Sequence, residues 1–511
     1  MKYLQALGAA IERRPRLFVI VLIAVFSALV FSTMTQWSIW FDEAFGAYLM
    51  RFDLVDIIYY TALDVHPPLY YWLLKGWTSL FGISELTIRL LSWLCAVIAI
   101  VGLYVLIRRL FDSARWAVLA VAVAVLSPIL VRFSYEGRMY TMVLAIVVWA
   151  TYVLWRATQS RGRLWWTAYG LLLAAGMLTH YFAAFAWLAH WAWRWWRYTS
   201  GEIKMFWTRE WVWSHALAVS LFAVWIPIVV RQFASLQAGF WIPPLSAYTP
   251  VDYLSNMLLY RQYGEVTGWW AIIGAAAMAA LLYGAAYLYR HIDRKRRSAM
   301  MLLMCLAVVP PLLLLLVSVP PLSSTFIDRY VLYAQLALAI AAVLGLALLW
   351  RSRRRLALLA GAVLLLSAGL GIGNVYYYGN YNKNSSTSVR VREIMQQIEP
   401  DGTPVIVGGI WTYYEAAFYE RPQRPVYFLD TPSEYRIGSA AMLRDNEDRK
   451  IRSIDEFARR YRYIWWMDHY PDGDIPLPRP TWQRERSIEV YDPIDDNVKY
   501  RASLFDTRPE Q

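Results

Sequence analysis

Charge is scarce in this chain. Only 17% of its 511 residues are Asp, Glu, Lys or Arg, and 59% are hydrophobic, whereas a soluble domain carries about 25% charged residues. That balance excludes an ordinary soluble fold and sets the class as an α-helical polytopic membrane protein. Cysteine is almost missing as well. Cys95 and Cys305 each sit inside an apolar run, so no disulfide framework or cysteine zinc motif exists, and each reads as a small core residue. Acids are fewer than bases, 37 against 50, for a formal net charge of +13. In a soluble protein that excess would point to nucleic acid. Here the bases cluster in short loops between apolar runs, where they set topology, and no nucleic-acid partner is expected.

What is present is a succession of apolar windows. The first, Leu17 to Met34, comes after Arg13, Arg14 and Arg16. It exceeds the h-region of a signal peptide, about 7–15 residues, and reads as an uncleaved span. About 20 apolar residues cross a bilayer as a helix. The windows 17–35, 86–107, 116–132, 139–156, 164–181, 183–197, 211–230, 269–289, 299–318, 330–350 and 356–375 predict about eleven spans. The 27 Trp residues fit belts at the two interfaces.

Loop charge then sets orientation. Alternate loops hold Arg13–Arg16, Arg108–Arg115, Arg156–Arg163, Arg194–Arg209, Arg290–Arg297 and Arg351–Arg355. The other set, 36–85, 133–138, 180–182, 231–268, 319–329 and the tail after 376, is much poorer in bases near the membrane. Basic loops stay inside, so the N-terminus is expected in the cytoplasm and the tail outside, in a cytoplasmic (inner) membrane. The predicted division is 1–375 as a transmembrane module and 376–511 as a small extracytoplasmic α/β domain. In that tail "TPVIVGGI", "RPVYFLD" and "SIEVYD" read as strands, and "SIDEFARRYRYIWWMD" as a helix running into a strand. No nucleophile elbow, phosphate loop or dinucleotide fingerprint occurs there.

The chemistry lies on the predicted outer side. Asp42 and Glu43 come just after Trp37, Trp40 and Phe41 at the edge of the first span. A carboxylate set against apolar surface is a better base than one in water, and paired carboxylates also suit a divalent cation. Taken alone, the pair is as well explained by solvated loop acids. The adjoining stretch "FDLVDIIYYTALDVHPPLYYWLLKGW" places Leu54, Ile57, Ile58 and Leu63 on one stripe of an interfacial helix. Pro67 and Pro68 break it and push Val65 and His66 toward extended geometry. The loop is therefore expected to be folded, with juxtamembrane helices holding Asp42, Glu43, Asp64 and His66 in place. Lys75 and Arg89 either snorkel to the headgroups or bind an anion. In "RFSYEGRMYTM", Glu136 and Arg138 either pair with each other or offer an acid and a cation. "TFIDRYVLY" repeats the arrangement with Asp328, Arg329 and Tyr330. Arg231 and Arg261 are the bases of the modest 231–268 loop.

"WFDEA", "DVHPPLYYWLLKGW", "FGISELTIRLLS", "SYEGRMY", "LTHY" and "DRYVLY" occur in that order. The set resembles the GT-C glycosyltransferases, specifically bacterial relatives of the protein O-mannosyltransferases and aminoarabinose transferases (glycosyltransferase family 39-like). The resemblance covers roughly residues 10–375. It implies a GT-C fold and transfer of a sugar from a polyprenyl-phosphate donor to an acceptor glycan, lipid or protein on the outer face. Carried over by motif, Asp42 is the base, Glu43 its neighbour and Glu136 the second acidic position. Arg89 lies near the donor phosphate, with Lys75, Arg138, Arg329 and Tyr330 as further phosphate contacts. Asp64, His66, Tyr140, His180 and Tyr181 are supporting residues. No metal is assigned, although Asp42, Glu43, Asp64 and Glu136 are oxygen ligands suited to a divalent cation. Three other readings stand beside this one: a lipid-linked glycan flippase, an O-antigen ligase or polymerase, and a binding-only protein. The middle of each predicted span is almost free of charge, unlike a transporter's. That favours an enzyme working at the interface.

Overall fold

The computed structural model describes residues 2–160, 162–236, 242–260, 268–378, 390–432, 435, 438–469, 478–491 and 498–508. Arg261 lies outside the described residues. The chain forms two compact units. One comprises Met1–Thr33 with Arg89–Tyr377, the other Met34–Ile88 with Tyr378–Gln511. The loop after the first apolar helix therefore belongs to the same unit as the tail.

The first unit is helical. Among the described residues, seven helices are long and apolar enough to cross a membrane: Glu85–Phe111, Tyr140–Gln159, Arg209–Ala234, Gly268–His291, Arg294–Leu316, Asp328–Leu349 and Arg354–Tyr377. An eighth arises if Ala114–Val125 and Pro128–Ser134, bent by 65°, form one broken span. Eight of the eleven expected spans are accounted for in this way. The remaining three windows also fold as helices, Pro15–Phe31, Arg163–Thr179 and Ala183–Thr199, but each has 17 residues. At 1.5 Å per residue that is about 25 Å, at the lower end of the range of about 17–25 residues for a span. The bend has a local cause. Ser127 accepts the Leu130 amide and Pro128 starts a new helix, so the 116–132 window cannot run straight. Small residues let helices approach closely elsewhere. A Cβ on Gly345 would overlap the carbonyl oxygen of Gly284, where Gly268–His291 crosses Leu332–Leu349.

The second unit begins with three short helices, Phe41–Leu49, Leu54–Leu63 and Leu69–Phe81. Asp53 starts the second by accepting the amides of Val55 and Asp56, both at 2.8 Å. Pro67 and Pro68 separate the second from the third. The tail builds a mixed sheet from β1 (Val405–Val407), β2 (Val426–Leu429), β3 (Lys450–Ile451), β4 (Tyr463–His469), β5 (Gln483–Tyr491) and β6 (Val498–Asp506). Their order is β3-β2-β1-β4-β6-β5. The first four are parallel, and β6 and β5 continue antiparallel. Central β1 is buried along its whole length, as a parallel strand covered on both faces must be. Ile406, Ile464, Trp466, Trp482 and Phe505 form one core face. The strands expected in the tail fold as β1, β2, β4 and β5.

Candidate active site

In the second unit the site is organised around the helix Phe41–Leu49. Asp42 and Glu43 occupy its first turn, where carboxylates complement the exposed amides. Glu43 is buried, and its Oε2 accepts the Trp40 amide at 3.4 Å. It serves the helix start, while Asp42, one position earlier, is half-buried. The tail supplies the opposing surface through helix Ile410–Phe418. Tyr414 lies against Phe41, Phe45 and Tyr48, with ring centroids 5.8, 6.0 and 5.1 Å apart. Asn446 donates to the hydroxyls of Tyr48 at 2.6 Å and Tyr413 at 3.1 Å.

A third acid stands behind this helix. Glu415 is 1% exposed, and its Oε2 accepts the Tyr500 hydroxyl at 2.9 Å. Burial raises its carboxyl well above the usual range. The charges of Asp42 and Glu43 push the same way, and the Tyr500 hydroxyl and Phe41 amide oppose them. Sequence reasoning misses Glu415. Its one signal there is an acid within the otherwise apolar and aromatic "IWTYYEAAF".

The other first-loop candidates have defined partners. Asp64 is buried at the end of Leu54–Leu63, and His66 Nδ1 lies 3.0 Å from its Oδ2. Gly438 permits this turn, because a Cβ there would come within 2.6 Å of the Asp64 Cα. Lys75 donates to the Met50 carbonyl at 2.6 Å, which ties down the end of the Asp42 helix.

The first unit brings together the remaining candidates. Arg89 is buried near the start of Glu85–Phe111. Three residues on, Ser92 donates to the carbonyl of Arg138 at 3.1 Å and accepts at its own carbonyl from Thr141 at 2.8 Å. The segment carrying Glu136, Arg138 and Tyr140 is therefore pinned to the helix of Arg89. Glu136 makes an ion pair with Arg132, Oε2 to Nη1 at 2.8 Å, and neither side chain is exposed. The sequence offers Arg138 as the partner and leaves Arg132 as a residue at the edge of a span. The spacing of four along one helical turn is the signal that could have found it. Arg329 Nε donates to the Tyr140 hydroxyl at 2.9 Å. Tyr330 packs on His180 and Phe182 at 4.8 and 5.0 Å. Tyr181 accepts from Trp225 at 2.7 Å and donates to Gln232. Among the described residues no three His, Cys, Asp or Glu side chains group as a metal site.

Comparison with known proteins bears on this arrangement. Residues 65–229 match the family described as dolichyl-phosphate-mannose-protein mannosyltransferase. No curated protein sequence gives a significant match. The apo crystal structure of ArnT from Cupriavidus metallidurans aligns with a TM-score of 0.59 at 14% identity, over 95% of this chain and 97% of that one. The oligosaccharyltransferase AglB from Archaeoglobus fulgidus, in complex with an inhibitory peptide and a dolichol-phosphate, aligns at 0.49 and 12% identity, over 90% and 69%. The first of these establishes the fold, and the matched segment holds most of the first unit's cluster. The chain is a multi-pass membrane protein that shares the fold of that ArnT, and its residues 65–229 resemble the dolichyl-phosphate-mannose-protein mannosyltransferase family.

Proposed function

We propose that the protein moves a sugar from a polyprenyl-phosphate donor to an acceptor hydroxyl on the extracytoplasmic face, by one inverting displacement with Asp42 as base. The acceptor oxygen attacks the anomeric carbon as the bond to the donor phosphate breaks, through an oxocarbenium-like state. Polyprenyl phosphate departs with the bonding electrons, and Asp42 takes the acceptor proton. Arg89, Arg138 and Arg329, with Tyr330, stabilise the phosphate charge as it develops. Lys75 is left to hold the Asp42 helix. Glu136 is fixed by Arg132 and orients the arginine-bearing segment.

The observation that carries this reading is the division of roles at the first turn of Phe41–Leu49. Glu43 is committed to the Trp40 amide and Glu415 is sealed behind, while Asp42 alone of the three is half-buried and within reach of solvent. The test is transfer in reconstituted vesicles. Asp42→Asn is expected to lower turnover by about 10²–10⁴, the range for losing a general base. Wild-type turnover in that variant contradicts the assignment.

A further inference from the structure

Tyr260 closes the helix Thr249–Leu259 in the left-handed region, with φ 50° and ψ 48°. Glycine or asparagine usually takes that place at a helix end, because a Cβ there crowds the following carbonyl. A tyrosine stays in it only where the surroundings fix the backbone. Here helix Arg354–Tyr378 does so. Asn374 donates from Nδ2 to the Leu259 carbonyl at 2.7 Å, and a Cβ on Gly371 would come within 2.6 Å of the Leu258 carbonyl oxygen.

The clamped helix buries two phenols. Tyr253 and Tyr260 are seven residues apart and so share one helix face, and they are 7% and 5% exposed. The helix packs against Pro128–Ser134 and against the turn Asp328–Val331. The Tyr253 ring stands 6.0 Å from that of Phe326, two residues before Asp328. Its hydroxyl has no hydrogen-bond partner among the described residues. Burial raises both hydroxyls above their ordinary range, and the charge of Asp328 pushes each the same way. At Tyr260 the charge of Glu136 adds to this and that of Arg132 opposes it. Both phenols therefore stay protonated, as neutral O–H donors near a carboxylate.

Asp328 is the acid common to both. Its Oδ1 accepts the Arg329 amide at 2.7 Å, so it fixes the backbone that carries this guanidinium. Arg329 in turn stands over the Tyr140 ring at 5.4 Å. An acid one residue from Arg329 competes with a phosphate for the guanidinium unless other donors hold it. A phenol can hold it without bringing a second charge.

We propose that Tyr253 and Tyr260 are positioning residues that hold Asp328, and through it Arg329, so that helix Thr249–Leu259 sets where the donor phosphate is received. The proposal rests on the transferase reading for the identity of the anion, and requires nothing of Asp42. Neither phenol takes part in bond making.

The test uses the full-length protein in phosphatidylcholine nanodiscs that carry increasing fractions of undecaprenyl phosphate, with the bound lipid counted by native mass spectrometry. Undecaprenol, which lacks the phosphate, is the control. Tyr253→Phe and Tyr260→Phe keep both rings and remove only the hydroxyls. Each is expected to weaken undecaprenyl phosphate binding about two- to fivefold at unchanged melting temperature, the net effect of one hydrogen bond. In an Asp328→Asn background, Tyr260→Phe is expected to change the affinity less than about twofold, because the two act through one group. Wild-type affinity in the double Phe variant overturns the proposal. So do losses that multiply with Asp328→Asn, or losses that follow a lowered melting temperature. If the wild type prefers undecaprenyl phosphate to undecaprenol in any of these cases, the transferase reading stands and only the tyrosines are reassigned. A wild type with no such preference removes both.

Discussion

The two units bury opposite chemistry. Among the described residues the first buries Arg89, Arg132, Arg138, Arg194 and Arg329 against one carboxylate, Glu136. The second buries Glu43, Asp64, Glu415 and Asp506 against one guanidinium, Arg424. Arg194 and Arg424 serve structure, since they donate to the carbonyls of Phe206 and of Ile398 and Tyr419. The rest divide by sign. A displacement that expels a phosphate and deprotonates a hydroxyl needs cations for the first and a carboxylate for the second. The contrast teaches that each unit has its own desolvated polar core, of opposite sign, and the proposed mechanism assigns one requirement to each.

The sharpest way to break the contrast is to remove the exception in the first unit. Arg132→Met removes the guanidinium 2.8 Å from the buried Glu136 carboxylate, and is expected to cost about 3–5 kcal/mol. The double change Arg132→Met with Glu136→Leu removes both charges and is expected to cost less. Apparent melting in detergent measures both, and equal losses would show that the pair is not what holds the segment.

A smaller effect tests the second unit. Glu415 keeps its proton in the folded chain at a pH where the unfolded chain has released it. The folded state then binds more protons, so stability falls as pH rises from the ordinary glutamate range toward the raised folded value. Below that window the contribution is fully present. Glu415→Gln is isosteric and does not titrate, and should flatten this part of the melting-temperature profile. An unchanged slope would place the titration elsewhere.

The smallest expected change lies on the surface of the same unit. Arg444 donates to the Tyr59 hydroxyl at 3.0 Å and pairs with Asp445 at 3.0 Å, both exposed. Arg444→Ala is expected to alter stability by less than about 1 kcal/mol. A larger loss in chemical denaturation would mean that the join between the first loop and the tail depends on this contact.

Much of the fold is legible in the sequence because apolar composition is a strong local signal. Every predicted window contains a helix, but composition does not report where a helix stops. The break at Ser127 and Pro128 and the three helices of 17 residues therefore escape a count of windows. In the tail, β1, β2, β4 and β5 stand out as apolar runs. The two-residue β3 is too short for a pattern, and in β6 the polar residues Arg501, Ser503 and Asp506 interrupt the apolar sequence. The residues proposed for the site stand out where chemistry clusters in sequence, as at Asp42–Glu43, Glu136–Arg138 and Arg329–Tyr330. The site is not legible where partners lie far apart. Glu415 reads as an ordinary helix acid until Tyr500, 85 residues away, and the Phe41 turn are seen beside it.

The central claim is that cations of the first unit bind the donor phosphate while Asp42 of the second acts only on the proton. Affinity for a polyprenyl-phosphate sugar and single-turnover transfer, measured on the same reconstituted samples of Asp42→Asn and Arg329→Gln, test it together. The account predicts that Asp42→Asn binds donor as the wild type does and fails to transfer, while Arg329→Gln, folded to the same melting temperature, loses donor affinity at least tenfold. Weakened donor binding in Asp42→Asn, or undiminished binding in Arg329→Gln, would contradict it.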